Sequence, residues 1–485
     1  MHYKEKKKLK ELLQAVIEGL TGKDLTRINH KAFNHIKESI SLVKEILEKE
    51  QVYPSKTLDK LTTLQEALDD RYSLEELQEH CNSLMRSFED EVEGRYKVVF
   101  FPYKASMWDS LESIYFAARD DDLCDAEVVP IPYYKLSEDN AEITYEGSLF
   151  PPGIQITHYS AYDLRVERPD IIFVHNIYDQ YNAVTRVHEE YFTSNLRKYT
   201  DLLVYVPYCL FSFVPPKLGG VSTGIAFGLP SIKNVDKVVV QGRHYTDAAL
   251  ALGLPKEKIL PLGSPKVDRL VVAFEEGLSL PEPWHEKIRD KTVFLFDTHM
   301  LFLSSGNPFY RLELLVKILN TPNFIDNSVL IWRPHPLLIA ALRQTSPLLL
   351  EYYLDLVDRM GEKEYSNVIY DDSPDFLPAL VAADIYIGTS SSLLNGFLLK
   401  GKPVILASEF PPGWDSKEEL FYSLVVPDSA WIDVLSDAVS RAHTRESQEP
   451  TTVRDAWYNV DGTSGEKVYR ATREQILMDL WNCKS

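Results

Sequence analysis

Four hydroxyls in a row, Thr389-Ser390-Ser391-Ser392, follow Gly388 and precede Leu393, Leu394, Phe397 and Leu398 at helical spacing. Free backbone N–H groups and hydroxyls at a helix N-terminus point the same way as the positive end of the helix dipole, so the loop suits an anion, phosphate above all. A helix cap needs only one such hydroxyl. A second candidate is Trp332-Arg333-Pro334-His335-Pro336, at the end of a strand-like run. Its prolines stiffen the turn, Arg333 offers phosphate a bidentate fork, and His335 can donate to a phosphate oxygen or carry a proton near neutral pH. Taken alone, an Arg and a His that satisfy nearby carbonyls is the simpler account. A third loop is Leu262-Gly263-Ser264-Pro265-Lys266-Val267-Asp268. Gly263 permits an unusual backbone or a close ligand, and Asp268 can cap a helix or hydrogen-bond across a cleft.

The elements that position these loops alternate. Apolar β-type runs are expected at Lys97 to Tyr103, Ala126 to Ile131, Asp170 to Val174, Leu202 to Val206, Val235 to Val240 and Lys258 to Leu262, with helices at Met107 to Arg119 and Glu190 to Lys198. After a Glu- and Pro-rich linker at Glu275 to Lys291 the alternation resumes, with strands at Thr292 to Phe296, Ser328 to Trp332, Val368 to Tyr370 and Ile385 to Ile387 and a last helix near Val468 to Trp481. Strands separated by such helices imply right-handed crossovers and parallel sheets covered on both faces. From Leu9 to Phe88 the pattern is helical throughout, in stripes that pack on each other or, in a homo-oligomer, on a partner subunit. The expectation is an α/β protein: an all-helical N-terminal domain (1–93) and two Rossmann-like domains (94–275 and 276–485) facing a cleft lined by the strand carboxyl ends.

Composition narrows the function. With 485 residues, 45% hydrophobic, the chain can bury several cores. The formal net charge of −20 argues against broad nucleic-acid binding, so an anionic ligand needs a local positive site. Cys81, Cys124, Cys209 and Cys483 have neither metal nor disulfide spacing, which fits a reducing cytoplasm, and the N-terminus lacks the apolar core of a secretory signal. The lysines from Lys4 to Lys10 offer peripheral contact with an anionic membrane surface, but Glu5, Glu11 and Glu18 make a solvated helix end the plainer account.

Gly263 to Asp268, Arg333-Pro334-His335-Pro336, Thr389 to Ser392 and Lys402-Pro403-Val404-Ile405, in that order and spacing, resemble the CDP-glycerol glycerophosphotransferases that build wall teichoic acid. The resemblance covers roughly Val235 to Ala407. It implies the two-domain glycosyltransferase-B fold, no metal and no cofactor, and a CDP-activated polyol donor whose pyrophosphate lies near Arg333, His335 and Ser390 to Ser392. The acceptor would be a polymer or lipid-linked precursor at the inner face of the membrane. Three positions depart from the family pattern. The strand Leu202 to Val206 runs into Pro207-Tyr208-Cys209 where a His-Gly-Thr is usual, Lys266 replaces an Arg, and Asn395 an Asp.

The missing His leaves the base for the attacking hydroxyl to be found. His175, just beyond the strand Asp170 to Phe173, is the candidate on the correct sheet edge, with Asp179 to orient it or act itself; equally, the two can simply fix their loop. Asp109, in Ser106-Met107-Trp108-Asp109-Ser110, is expected to bind the acceptor. The function expected is transfer of glycerophosphate or a similar polyol phosphate, with His335 among the groups that stabilise the leaving CMP. The alternatives are a nucleotide-sugar glycosyltransferase and a non-catalytic nucleotide-binding assembly subunit.

Overall fold

The computed structural model describes residues 1–21, 30–50, 54–69, 73–136, 140–182, 184–213, 215–217, 227–299, 302–303, 307–360, 362–389, 391–407, 421–423, 430–443 and 455–482. Two compact units result, Met1–Val98 with Ala118–Ala126, and Val99–Ala117 with Glu127–Ser485.

In the first unit the helices Tyr3–Thr21, His30–Leu47, Ser55–Asp69 and Leu74–Glu91 turn their apolar stripes on one another. Leu13, Leu20, Ile40, Val43, Leu61, Leu64, Leu84 and Phe88 are sealed from solvent. The last helix opens with a capping box: the Glu76 carboxylate accepts from the Ser73 N–H (2.8 Å), and the Ser73 hydroxyl accepts from the Glu76 N–H (3.4 Å). The unit does not stop at residue 93. Tyr3 N–H donates to Arg95 O (2.7 Å) and Arg95 N–H to Met1 O (2.9 Å), and Arg95 pairs in turn with Asp125 (2.7 Å) and Tyr96 with Asp121 (2.5 Å), which brings residues 118–126 with it.

The remaining chain builds the sheets. Its early strands are β1 (Tyr96–Phe101), β2 (Cys124–Val128), β3 (Tyr133–Leu136), β4 (Ala141–Thr144), β5 (Ile171–Val174), β6 (Thr185–Val187), β7 (Leu202–Tyr205), β8 (Lys237–Val239) and β9 (Ile259–Leu260). The first sheet runs β2-β1-β5-β7-β8-β9, parallel from β5 to β9. The small antiparallel sheet β4-β3-β6 was not foreseen. Neither was the break in the helix expected over Glu190 to Lys198. It resolves into a 3-10 turn, Glu189–Tyr191, and a single turn, Thr193–Leu196, because the Asp179 carboxylate caps the chain at Thr193.

The second sheet contains β10 (Thr292–Thr298), β11 (Ser328–Pro334), β12 (Val368–Tyr370), β13 (Ile385–Gly388), β14 (Val404–Leu406) and β15 (Phe421–Ser423), all parallel, in the order β12-β11-β10-β13-β14-β15. Alternate residues fill two cores: Phe294, Phe296, Trp332 and Ile387 on one face, Leu295, Ile331 and Tyr386 on the other. The chain builds outward from β10 to β12, then crosses to the far side of β10 for β13. Ligands of open α/β sheets bind at such a reversal, outside the strand carboxyl ends. The first sheet reverses in the same way between β1 and β5.

The chain also crosses between the two sheets. The helix Pro265–Glu276, assigned from sequence to the first domain, buries Val267 and Leu270 in the core under β10 and β11. Conversely, residues 455–465 return to the first sheet, where Tyr458 N–H donates to Gln241 O (2.7 Å) and the Asn459 amide donates to Leu262 O (2.8 Å).

Candidate functional site

The β10/β13 reversal carries a cluster of chemically capable side chains. Asp297, at the end of β10, is in register with Gly388 at the end of β13 and with Arg333 on β11. The Tyr386 hydroxyl reaches back over Gly388 to lie 2.9 Å from Asp297 Oδ2, 3.1 Å from Thr389 O and 3.1 Å from Ser391 Oγ. Only glycine fits beneath it: a Cβ at 388 would stand 2.8 Å from that phenol oxygen and 2.9 Å from Asp297 O. Beyond the strand ends, the His299 and His335 rings face each other at 5.7 Å. His335 Nδ1 accepts from the Leu337 N–H (3.1 Å), so the neutral ring carries its proton on Nε2 and offers a donor outward. Burial, then His299, holds its pKa below the ordinary histidine value, against the opposing pull of Asp297. Burial raises that of Asp297, partly offset by hydrogen bonds from Ser391 and Tyr386.

Of the residues expected to bind phosphate, His335, Thr389 and Ser391 converge here. Ser391 is also the helix cap, accepting from Leu394 N–H (3.2 Å), and Ser392 is exposed in the first turn of Ser392–Leu398. Ser390 lies outside the described residues. Arg333 requires a correction. Its guanidinium is buried, with Nη1 on Asp371 Oδ2 (2.5 Å) and Ser373 Oγ (3.2 Å) and Nη2 on Ser373 O (2.7 Å). A fork already closed on an internal carboxylate is not free to grip a phosphate.

At the first sheet the expected base does not fit its surroundings. His175 has no exposed surface: Nε2 accepts from the Tyr103 N–H (3.1 Å), and Nδ1 faces Met107 O (3.3 Å) and Ser110 Oγ (3.2 Å). Desolvation takes its pKa down to about 3, against the Met107 hydrogen bond and with help from the nearby Lys266 charge. Both nitrogens are engaged, and no substrate hydroxyl reaches them in this conformation. Asp179 does not orient it. Its backbone is left-handed (φ 45°) and its carboxylate takes the Thr193 N–H and hydroxyl (2.6 Å to Oγ1).

Of the other three candidates near the first sheet, Gly263 and Asp268 are engaged by the protein, and Asp109 is engaged through Oδ2 only, its Oδ1 having no hydrogen-bond partner among the described residues. Asp109 is buried against the Lys266 ammonium (2.5 Å), and Asp268 accepts from Ser113 Oγ (2.8 Å) and from Ser464 and Gly465 N–H (3.0 and 2.7 Å), capping the last helix. Gly263 has φ 89°, and a Cβ there would lie 2.3 Å from Tyr458 O. Its lack of a side chain admits the returning chain, not a ligand.

Asp297 is not singled out by the sequence, and His299 reads there, with His158, His188 and His244, as a structural or surface residue. The signal is Phe-Asp-Thr-His at the end of an apolar run, an acid and an imidazole two apart where a strand leaves the sheet.

No family model matches the sequence, and no curated protein does. Solved structures do match. A UDP-GlcNAc 2-epimerase from Methanocaldococcus jannaschii superposes with a TM-score of 0.51 at 13% identity, over 78% of this chain and 99% of that one. The wall teichoic acid polymerase TagF does so with a TM-score of 0.50 at 12% identity, over 87% and 99%. The fold is of the glycosyltransferase-B type. At such identities it is the fold that is shared. The β10/β13 cluster lies at the second sheet and the His175 cluster at the first.

Proposed function

We propose that this chain is a transferase whose second domain holds the nucleotide-diphosphate part of a CDP-activated polyol donor, and that it moves glycerophosphate or a similar polyol phosphate to a hydroxyl of a surface-polymer precursor. The observation that carries the reading is the meeting of His335, Thr389 and Ser391 with His299 at the β10/β13 reversal. His335 and the pair Thr389 and Ser391 come from two separate stretches of the family-like motifs, and His299 lies outside them. His335 Nε2–H is suited to donate to a phosphate oxygen and to stabilise charge on the leaving CMP. Attack would be in line at phosphorus.

A second reading, a nucleotide-binding subunit without turnover, draws on the closure of His175 and Asp179 and the pairing of Arg333 with Asp371. One panel separates them. Thermal shifts with CDP-glycerol, CDP-ribitol, UDP-sugars and CMP identify the donor, since a ligand of the folded state raises Tm by mass action. Release of CMP from the donor that binds, with a polyol-phosphate acceptor present, then marks the transferase. His335→Ala should weaken CMP binding by about tenfold or more, the loss of one charge-assisted hydrogen bond. Stabilisation by UDP-sugars but not by CDP-polyols would overturn the donor assignment.

A further inference from the structure

Asp297 is 4% exposed and lies where the proposed donor site must receive at least two negative charges. Among the described residues, the groups whose charge would offset its own are the His299 and His335 imidazoles, and only when they are protonated. From β13 and the loop beyond it come the Tyr386 hydroxyl, Thr389 O and Ser391 Oγ, all neutral. His299 and His335 face it from the ends of β10 and β11. The cation on the adjacent strand, Arg333, is turned away onto Asp371.

The hydrogen bonds around Asp297 can accept one more proton without moving a heavy atom. With the carboxylate ionised, Tyr386 and Ser391 both donate to it and Thr389 O goes without the phenol. With the carboxyl protonated, it donates into the Tyr386–Ser391 pair, and the Tyr386 proton turns to Thr389 O, 3.1 Å away. Two protonation states thus fit one geometry. An anion bound beside the His299–His335 pair penalises the ionised state, because like charges in a desolvated site repel strongly.

We propose that Asp297 makes anion binding at this site proton-linked, holding a proton when the site is filled and releasing it when the site is empty. The inference rests on the reading of this site as the phosphate-binding one. Its sign follows from linkage: a ligand that prefers the protonated form binds most tightly at low pH. The affinity then falls as pH rises above the carboxyl pKa of the empty site, by up to about tenfold per unit. Burial places the start of that fall above the ordinary carboxylate range.

The test uses the full chain, with inorganic pyrophosphate and CMP as probes, titrated calorimetrically from pH 5 to 9 in buffers of different ionisation enthalpy. Wild type should take up a fraction of a proton per anion bound and lose affinity with rising pH. Asp297→Asn, checked for an unchanged fold by circular dichroism and Tm, should bind with a nearly flat profile above pH 6.5 and at pH 8 at least as tightly as wild type. His335→Gln should bind more weakly but keep the slope. A slope that survives in Asp297→Asn and vanishes in His335→Gln would move the proton to the imidazole and overturn the assignment. So would weaker binding by a folded Asp297→Asn at every pH, since that requires the carboxylate charge. Binding by wild type with no proton uptake overturns this inference alone; failure of both probes to bind wild type overturns the donor-site reading and this inference with it.

Discussion

The two sheets reverse their strand order in the same way, yet the two reversal points are chemically unlike. At β1/β5 most polar groups are spent on the protein itself, His175 on Tyr103 and Met107 and Asp179 on Thr193, while Asp109 meets Lys266 through Oδ2 and its Oδ1 has no hydrogen-bond partner among the described residues. At β10/β13 the strand ends carry two half-buried imidazoles, an exposed serine and a buried carboxyl among hydroxyls. The same topology thus carries two different hydrogen-bond inventories, one mostly closed on the protein and one with hydroxyls and imidazoles gathered at the strand ends.

The comparison is broken most forcefully at Arg333, which lies in the second sheet but behaves like a first-sheet residue. Arg333→Ala strands Asp371 in the interior and should cost roughly 3–5 kcal/mol of stability. Denaturant melts of Arg333→Ala and of the double variant with Asp371→Asn test this, the double variant recovering part of the loss. A single variant of wild-type stability with weakened CMP binding would return Arg333 to the ligand site. Gly263→Ala comes next. It demands a left-handed backbone from alanine and drives a methyl into Tyr458 O, at about 3 kcal/mol, read as a fall in Tm with CMP affinity per folded molecule unchanged.

His175→Ala should cost about 2–3 kcal/mol, since it removes a buried group and leaves the Tyr103 N–H without its partner. The pH dependence follows from the depressed pKa. Above about 6.5 both states are neutral. As pH falls towards about 3 only the unfolded chain takes the proton, so the stabilisation by His175 is lost at about 1.4 kcal/mol per pH unit. The advantage of wild type over the variant should narrow on acidification from pH 6.5, measured by urea melts at stepped pH. Parallel profiles would mean that the imidazole is solvated in the native state, and its role as a base would reopen.

Strand positions were legible because wholly apolar runs such as Ile171–Val174 and Ile385–Gly388 admit few alternatives. The helical region was legible from its stripes; the compact unit built on it runs on to Val98, because the backbones of Met1 and Tyr3 bond to that of Arg95. Side-chain roles were legible only in part. His335 and Ser391 lie together at the second reversal point, as a strand-end loop constrains where such residues point. His175, Asp179 and Arg333 are closed on partners, Tyr103, Thr193 and Asp371, that are distant or unremarkable in sequence, whereas Asp268 takes the capping role open to it, on Ser464 and Gly465. Nothing in local spacing tells a closed polar group from an open one. Asp297 was passed over for the converse reason: a single acid at a strand end acquires meaning only once Tyr386 and Ser391 are seen around it.

The smallest expected effect is the sharpest test of the open site, because it compares adjacent hydroxyls in one loop. Ser391 accepts from Leu394 N–H and meets the Tyr386 hydroxyl, so Ser391→Ala should cost about 1 kcal/mol, as lost helix caps do. Ser392 is exposed in the first helical turn, and Ser392→Ala should change stability by less than about 0.5 kcal/mol. If the second reversal point spares this hydroxyl for a ligand, Ser392→Ala should still lower CMP or pyrophosphate affinity by about two- to tenfold, the worth of one hydrogen bond. Calorimetry of the two variants beside their urea melts gives both numbers. Unchanged affinity in Ser392→Ala, with a loss confined to Ser391→Ala and matched by its loss of stability, would show that the loop holds itself together and leaves the phosphate to His299 and His335.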